Sequence, residues 1–444
     1  MKMPFTCLHP KFGIAVVQRV LPGSGRIRVK VDYPEQMLIG REAFLDELVD
    51  ATTGHPLVVT KDREPQKPAS KPPEAPPAKS QPPTWQEERQ AIHALRLGQS
   101  TPLAVNELRV GMEQVDGATQ TALDRASSGQ VSFLIFVSEF GMGKSHALAR
   151  LRLQAMKRKM AVGSVVLDGM GVSLCQPMSL PSTLAHAIEF GDHGEGLPAR
   201  LAGLVRTGQT SKLKAACAEF LHGALSELTS DHVDDPEAWE LVEDYLALDV
   251  APSVLRQRLG VRVRPLNTRS RDDRPDRCAL LMRDWARSVP PLGYPGGLAL
   301  LLDEADVDFA LSGRTVNEKD QRAALLQAWR VMADGGPGGE THAKLLIALA
   351  VTPGGNFDDP VSELRSTLGS CASVIELPEL SEDHLRELGQ RIAAMYARAY
   401  QTNPEARATE FVDACFQTIR RMHGRRNPRH FIRMLLEKLD AAHV

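Results

Sequence analysis

The segment Ser138-Glu139-Phe140-Gly141-Met142-Gly143-Lys144-Ser145 places glycines, a lysine and a hydroxyl at the spacing that phosphate chemistry uses. In a GxxxxGK[ST] loop the glycines let backbone N–H groups and a helix N-terminus close around phosphate oxygens. Lys144 is then placed to reach the β- and γ-phosphates, and the Ser145 hydroxyl to ligate Mg²⁺. Ser138 stands where the pattern has its first glycine, a turn that serine can enter. The nucleotide-binding set expected here is Ser138, Gly141, Met142, Gly143, Lys144, Ser145 and His146. Further along, the apolar run Leu298–Leu302 ends in Asp303-Glu304-Ala305-Asp306. An aspartate in that place anchors the Mg²⁺ shell, and the next glutamate orients or deprotonates the attacking water. Together the two motifs predict binding of a nucleoside triphosphate with Mg²⁺ and attack on it by water, with Lys144 and Glu304 catalytic and Ser145 and Asp303 as metal ligands.

Such residues need a scaffold of buried strands ending at one edge. Ser132–Val137 (SFLIFV) is a wholly apolar run that leads into the loop, as a strand covered on both faces would. The next stretch keeps Ala147, Leu148, Leu151, Ala155, Met156 and Met160 on one helical face. Ala161–Asp168, Lys344–Val351 and Ser373–Leu377 read as further strands. The alternation of helices with very apolar strands predicts an α/β core with a mainly parallel sheet. Asp-Glu-Ala-Asp is also a helicase signature, but that fold needs a second lobe with its own strands. Residues 381–444 show helical periodicity instead, through Leu385, Leu388, Ile392 and Met395, then Phe411, Val412, Cys415 and Ile419, then Phe431, Ile432, Leu435 and Leu439.

Several features resemble AAA+ ATPases. Thr352 follows the strand Lys344–Val351, matching the polar sensor 1 residue beside the γ-phosphate, although a turn threonine before Pro353 reads the same way. Leu377-Pro378-Glu379-Leu380-Ser381 closes the core and starts a helical lid. In Gly424-Arg425-Arg426-Asn427-Pro428-Arg429, Asn427 is a good N-cap and Pro428 a good first-turn residue. Arg429 then resembles the sensor 2 arginine, with a solvated surface arginine as the alternative. An arginine finger acts across a subunit boundary; Arg365 is the positional choice, with Arg314 and Arg322 as alternatives.

The 444 residues have room for two to four domains, and 43% hydrophobic with 24% charged residues is ordinary globular composition. A formal charge of −2 announces no global field for nucleic acid. Six dispersed cysteines, without a CxxC pair or Cys/His cluster, argue against zinc and a disulfide framework. No apolar run suits a membrane span or a leader, so a cytoplasmic protein with no membrane partner is expected. Residues 61–84 hold eight prolines and no Ile, Leu, Val, Met, Phe, Trp or Tyr, the composition of an extended tether. Before it, Ile14–Val20, Pro22-Gly23-Ser24-Gly25 and Arg26–Val31 read as a hairpin. With His9-Pro10-Lys11-Phe12-Gly13 this unit resembles the SH3/Tudor-like barrels of CarD-type factors and UvrD-type tails. Between Asp168 and Leu298, Lys212–Leu228 reads as one helix, and Arg256–Arg287 carries ten arginines against four aspartates. That run could meet a phosphodiester backbone or be a solvated face.

From about Gln90 onward the chain resembles the ATP-binding proteins of BREX-type phage-defence systems, the BrxD kind. The likeness is carried by Ala94-Leu95-Arg96-Leu97-Gly98, Val110-Gly111-Met112-Glu113, the phosphate loop, Asp303-Glu304, Thr352-Pro353, Leu377-Pro378-Glu379-Leu380 and Asn427-Pro428-Arg429. The resemblance implies an AAA+-like core with a C-terminal helical lid, and it adds Gly111 to the nucleotide-binding set. It further implies a defence ATPase acting beside DNA and a helicase or other DNA-processing protein, as a homo-oligomer. The expected division is a barrel at 1–55, a linker at 56–88, a core at 89–380 with an insert at about 190–290, and a lid at 381–444. A DNA-linked motor or switch, a transposition-type target-selection regulator, and a nucleotide-binding scaffold with little hydrolysis all remain open.

Overall fold

The computed structural model describes residues 5–9, 13–21, 28–33, 38–44 and 49–50, and residues 84–443 except 192–195, 229–235, 269, 311–314, 336–342, 355–358, 402–404 and 422–426. The chain divides into two units, Met1–Ser80 and Gln81–Val444. The first contains β1 (Phe5–His9), β2 (Gly13–Leu21), β3 (Arg28–Tyr33), β4 (Leu38–Phe44) and β5 (Val49–Asp50). These form an antiparallel sheet in the order β4-β3-β2-β1-β5. The hairpin turn at Pro22–Gly25 and the proline-rich segment up to residue 83 lie outside the described residues.

The second unit opens with three helices, α1 (Trp85–Arg96), α2 (Pro102–Glu107) and α3 (Glu113–Ser127). Its sheet comprises β6 (Val131–Val137), β7 (Met160–Val166), β8 (Ile188–Glu189), β9 (Gly297–Asp303), β10 (Leu345–Val351) and β11 (Ala372–Glu376). The order is β11-β6-β10-β9-β7-β8, parallel throughout except for the short edge strand β8. Every residue of β6 and β10 is buried, because helices cover both faces. Side chains alternate between the two layers, as strand geometry requires. Phe133 and Ile135 face one core, while Leu134 and Phe136 face the other with α3 and α4 (Lys144–Lys157).

The layer on the Phe133 side is built from the long segment between β7 and β10. It contains α5 (Ser179–Ala187), α6 (Leu197–Arg206), α7 (Ser211–Ala215), α8 (Glu219–Leu225), α9 (Pro236–Leu246), α10 (Pro252–Leu259), α11 (Arg274–Ser288) and α12 (Val316–Ala333). Their apolar faces merge with the sheet in one continuous core. Lys212–Leu228 is therefore two short helices and not the single helix its composition suggests. Cys217 adopts a left-handed φ of 58° between them. The buried Asp284 of α11 accepts hydrogen bonds from the Phe220 and Leu221 amides at 2.9 and 3.0 Å, capturing the new helix start.

A third core lies outside the sheet. After α13 (Pro360–Leu368) and β11, helices α14 (Glu382–Tyr400), α15 (Glu405–Arg421) and α16 (Pro428–His443) pack on α1 and α2. The helices expected at 381–444 share this core with the chain from Trp85 to Leu108. Ion pairs stitch the two ends together. Arg398 of α14 holds Glu88 and Glu107, and Arg96 of α1 meets Asp440 of α16 at 2.6 Å. Glu88 is buried and Arg398 half exposed, so the arginine keeps its charge solvated while satisfying the carboxylate. Among the described residues, no helix is long and apolar enough to cross a membrane.

Candidate functional site

The parallel strands deliver their C-terminal ends to one edge, which is where α/β sheets place ligands. β6 runs into Ser138, whose amide donates to the Val351 carbonyl, tying the loop to β10. The chain then turns through Gly141 and Gly143, at φ 81° and 101°, a region that L side chains enter only at a cost. Gly143 begins α4, and a Cβ there would meet nothing within 4 Å, so this backbone faces open space. Helix α4 thereby presents an N-terminus free of any side-chain cap. Such a terminus offers backbone N–H donors to an anion.

Lys144 is the hub. Its ammonium donates to the Ser138 carbonyl at 2.8 Å and to Thr352 Oγ1 at 2.9 Å, with the Glu139 carbonyl at 3.4 Å. Burial lowers its pKa below the ordinary lysine value, against the pull of Asp306, Asp303, Glu139 and Glu304. A cation held in this way is ready to exchange neutral acceptors for phosphate oxygens. β9 ends at Asp303, whose Oδ1 accepts the Glu304 amide at 2.9 Å. Glu304 itself takes a left-handed φ of 54° and is exposed, which projects a carboxylate from the strand end. Asp306 accepts the Thr352 amide at 3.0 Å, so the ends of β9 and β10 are locked to one another.

The lid supplies the opposite wall. Asn427 Oδ1 accepts the amides of Arg429 and His430 at 3.0 and 3.3 Å, capping α16. Its amide nitrogen donates to the Phe140 carbonyl in the phosphate loop at 3.0 Å. Arg429 lies over the Phe140 ring, 5.2 Å from its centroid. A Cβ at Gly98 would strike the Arg429 guanidinium at 2.6 Å, so only glycine leaves the arginine its place.

These elements enclose a cavity of about 330 Å³. Gly141, Met142, Gly143, Lys144, Ser145, His146, Asp303, Glu304, Thr352 and Arg429 all line it. Ser138 lies buried beneath, as the acceptor for Lys144. Gly111 sits between the lining residues Val110 and Met112, in a left-handed turn packed on His384 and Leu380. Arg365 is exposed on α13 and is not part of the lining. Arg322 is buried, pairs with Glu363 at 2.7 Å and donates to the Asp308 carbonyl, so it is engaged within its own chain. Arg314 lies outside the described residues. His146 is held neutral: burial, with the charge of Arg150, brings its pKa down to about 4.

Sequence reasoning missed three contributors. Asp306 was visible only as the fourth letter of a tetrapeptide, and its bond to Thr352 depends on strand order. Asn427 was legible as a cap, but its reach to Phe140 was not. The apolar half of the cavity, including Leu95, Leu108, Leu377, Leu388 and Ile432, comes from five helical or loop segments whose periodicity signals only core.

The residues fit a nucleoside triphosphate. The polar end has an uncapped helix start, a lysine and an arginine for phosphates, and the apolar end suits a base. Among the described residues no group of three or more His, Cys, Asp or Glu forms a metal cage. Ser145 and Asp303 both line the cavity, and Mg²⁺ is usually held by one or two protein oxygens together with phosphate oxygens and water.

The chain matches the family described as BREX system ATP-binding protein BrxC/D. The matched residues are 84–196 and 362–444, which carry the phosphate loop and both halves of the lid. Asp303, Glu304 and Thr352 lie between the matched stretches. No curated protein matches the chain in sequence. Among solved structures, the E. coli MS115-1 HORMA:CdnC:Trip13 complex is similar at 8% identity and a TM-score of 0.34, over 75% of this chain and 90% of that chain. Drosophila ORC bound to DNA is similar at 12% identity and a TM-score of 0.34, over 85% of this chain and 66% of that one. Neither similarity at that score bears on function.

Proposed function

We propose that this chain is an AAA+-like ATPase of a phage-defence system that binds ATP with Mg²⁺ and hydrolyses it, its lid moving with nucleotide state. The observation that carries this reading is the convergence of Lys144, Asp303, Glu304, Thr352 and Arg429 on one cavity from the loop, two strand ends and the lid. Lys144 and the α4 N-terminus would bind phosphate, and Thr352, bonded to both Lys144 and Asp306, would position the γ-phosphate side of the site. Glu304 would take the proton of the attacking water. Bound Mg²⁺ would supply charge neutralisation between the phosphates. Arg429 would sense phosphate from the lid, and Asn427 would carry that signal to the loop. Arg365 on the exposed face of α13 would act on a neighbouring copy in an oligomer, and Gly111 would shape the base side of the cavity. The match to a defence family supports a role beside DNA and a DNA-processing partner, with the N-terminal sheet as an SH3/Tudor-like recruiting module on its tether.

ATP turnover by the full chain, with and without DNA, tests this reading against Lys144→Ala and Glu304→Gln. Wild type should turn over ATP. Glu304→Gln should bind ATP and lose at least 100-fold in rate, a loss in the typical range for an acid–base group. Lys144→Ala should lose binding as well. Absence of turnover in wild type, with ATP bound, would leave a nucleotide-binding scaffold.

A further inference from the structure

The left-handed φ of 54° at Glu304 is unfavourable for a residue with a Cβ, and it persists only where the surrounding structure fixes it. Glu304 starts a short 3₁₀ turn, Ala305–Phe309, and makes no side-chain cap to it. The turn is held locally by the Val307 amide, which donates to the Glu304 carbonyl at 3.2 Å. Such turns have poor hydrogen-bond geometry, so the direction of the Glu304 side chain depends on what pins the turn from outside. Asp306 does so on one side, through the Thr352 amide at the end of β10.

Asp308 does so on the other, and far more firmly. It is fully buried, and each carboxylate oxygen has its own donor: Oδ1 accepts the Ser173 hydroxyl and Oδ2 the Leu174 amide, both at 2.6 Å. Ser173 is fully buried as well, and its hydroxyl oxygen accepts the Cys175 amide at 3.0 Å. Both donors lie between β7 and α5, next to the strand β9 that delivers Glu304. The Asp308 carbonyl accepts from the Arg322 guanidinium of α12 at 2.6 Å. Arg322 in turn makes a bidentate pair with Glu363 of α13, at 3.1 and 2.7 Å, and lies over the Phe309 ring. A buried carboxylate is tolerated only when its oxygens are satisfied, and bonds to a charged acceptor are strong and directional. The end of the turn is therefore fixed to the β7–α5 connection and to α12. Ser173, Leu174, Asp308 and Arg322 do not line the phosphate cavity, whereas Glu304 does, so they act on that cavity only through the turn. We infer that Asp308 is a positioning residue. Held by Ser173, Leu174 and Arg322, it keeps the 3₁₀ turn in place, and with it the left-handed backbone that directs the Glu304 carboxylate to the cavity. This role rests on the ATPase reading.

The test is a double-mutant cycle in the full chain, read by single-turnover hydrolysis of ATP and by ATP titration. Asp308→Asn keeps the side-chain shape but has one acceptor oxygen where two donors must be met. With Glu304 present it should lower the hydrolysis rate at least tenfold, the scale of a misplaced reacting group, and leave ATP affinity within twofold of wild type. In the Glu304→Gln background the carboxylate to be positioned is gone, and the same substitution should change the residual rate less than twofold. Equal loss in both backgrounds overturns the inference, as does a loss of ATP affinity that matches the loss of rate. Where Asp308→Asn does not fold, Ser173→Ala makes the same comparison through one donor. It should cost about threefold with Glu304 present, the worth of one hydrogen bond, and nothing without it; equal loss again overturns the role. Wild type that binds ATP without turnover removes the ATPase reading and this role with it. Wild type that turns over, with an additive cycle, removes this role alone.

Discussion

Removing the Asn427 side chain tests how the lid reports on the phosphate loop. Its carboxamide does two jobs: Oδ1 caps α16 through the Arg429 and His430 amides, and the amide nitrogen donates to the Phe140 carbonyl at 3.0 Å. A lost N-cap costs about 1 kcal/mol and a lost neutral hydrogen bond about 1 kcal/mol. If both act on lid docking, Asn427→Ala loses about 2 kcal/mol, or roughly 30-fold in ATP affinity. Asn427→Asp separates the jobs, since aspartate caps as well as asparagine but has no N–H for Phe140. It should lose about fivefold, corresponding to about 1 kcal/mol. Titration with a fluorescent ATP analogue gives the affinities, and hydrogen exchange of the first turn of α16 shows whether the cap persists. Gly141→Ala provides an independent route, because its Cβ would lie 2.6 Å from the Asn427 amide at a left-handed φ. An affinity within twofold of wild type in Asn427→Ala, with α16 still protected, would refute the latch.

Two further outcomes follow from local chemistry. His146 is neutral in the folded protein down to about pH 4, while the unfolded chain protonates it near 6.5. The unfolded state therefore binds the extra proton between those values, so this stabilisation is complete above pH 6.5, falls as pH drops and levels off below 4, by roughly 3 kcal/mol in total. Urea unfolding at pH 7.0 and 5.0 should show the slope in wild type and a smaller one in His146→Asn. Cys217→Gly should raise stability by about 1 kcal/mol, since glycine occupies the left-handed conformation at φ 58° without the Cβ conflict. A fall in the urea midpoint would mean that the cysteine side chain packs better than its backbone is strained.

The strand, glycine loop and helix were legible in the sequence because the motif is local. Eight consecutive residues carry the glycines, the lysine and the hydroxyl, and the apolar run ahead of them can only be a covered strand or a buried helix. The same holds for Leu298–Asp303, where the acidic pair follows its strand directly. Asn427 as a cap was also readable, since capping involves only the next three residues. Lys212–Leu228 shows the limit. Its helical composition was correct for both halves, yet the break depends on Asp284, a residue more than fifty positions later that captures the second helix start.

What the amino-acid sequence determined by itself was the strand, glycine loop and helix at residues 131–157 and the apolar strand ending at Asp303, because backbone conformation and periodicity are short-range properties. Tertiary structure decided which motifs share a cavity. The strand order β11-β6-β10-β9 puts Thr352 between the loop and Asp306, although more than two hundred residues separate Lys144 from Thr352 in the chain. It also decided that the lid has two ends, with α1 joined to α14 and α16 through Glu88, Arg398, Arg96 and Asp440. An amphipathic helix announces that it has a face to bury, but not which partner buries it. That choice is made by long-range packing, and here it brings Gly98 and Arg429 together over the phosphate loop.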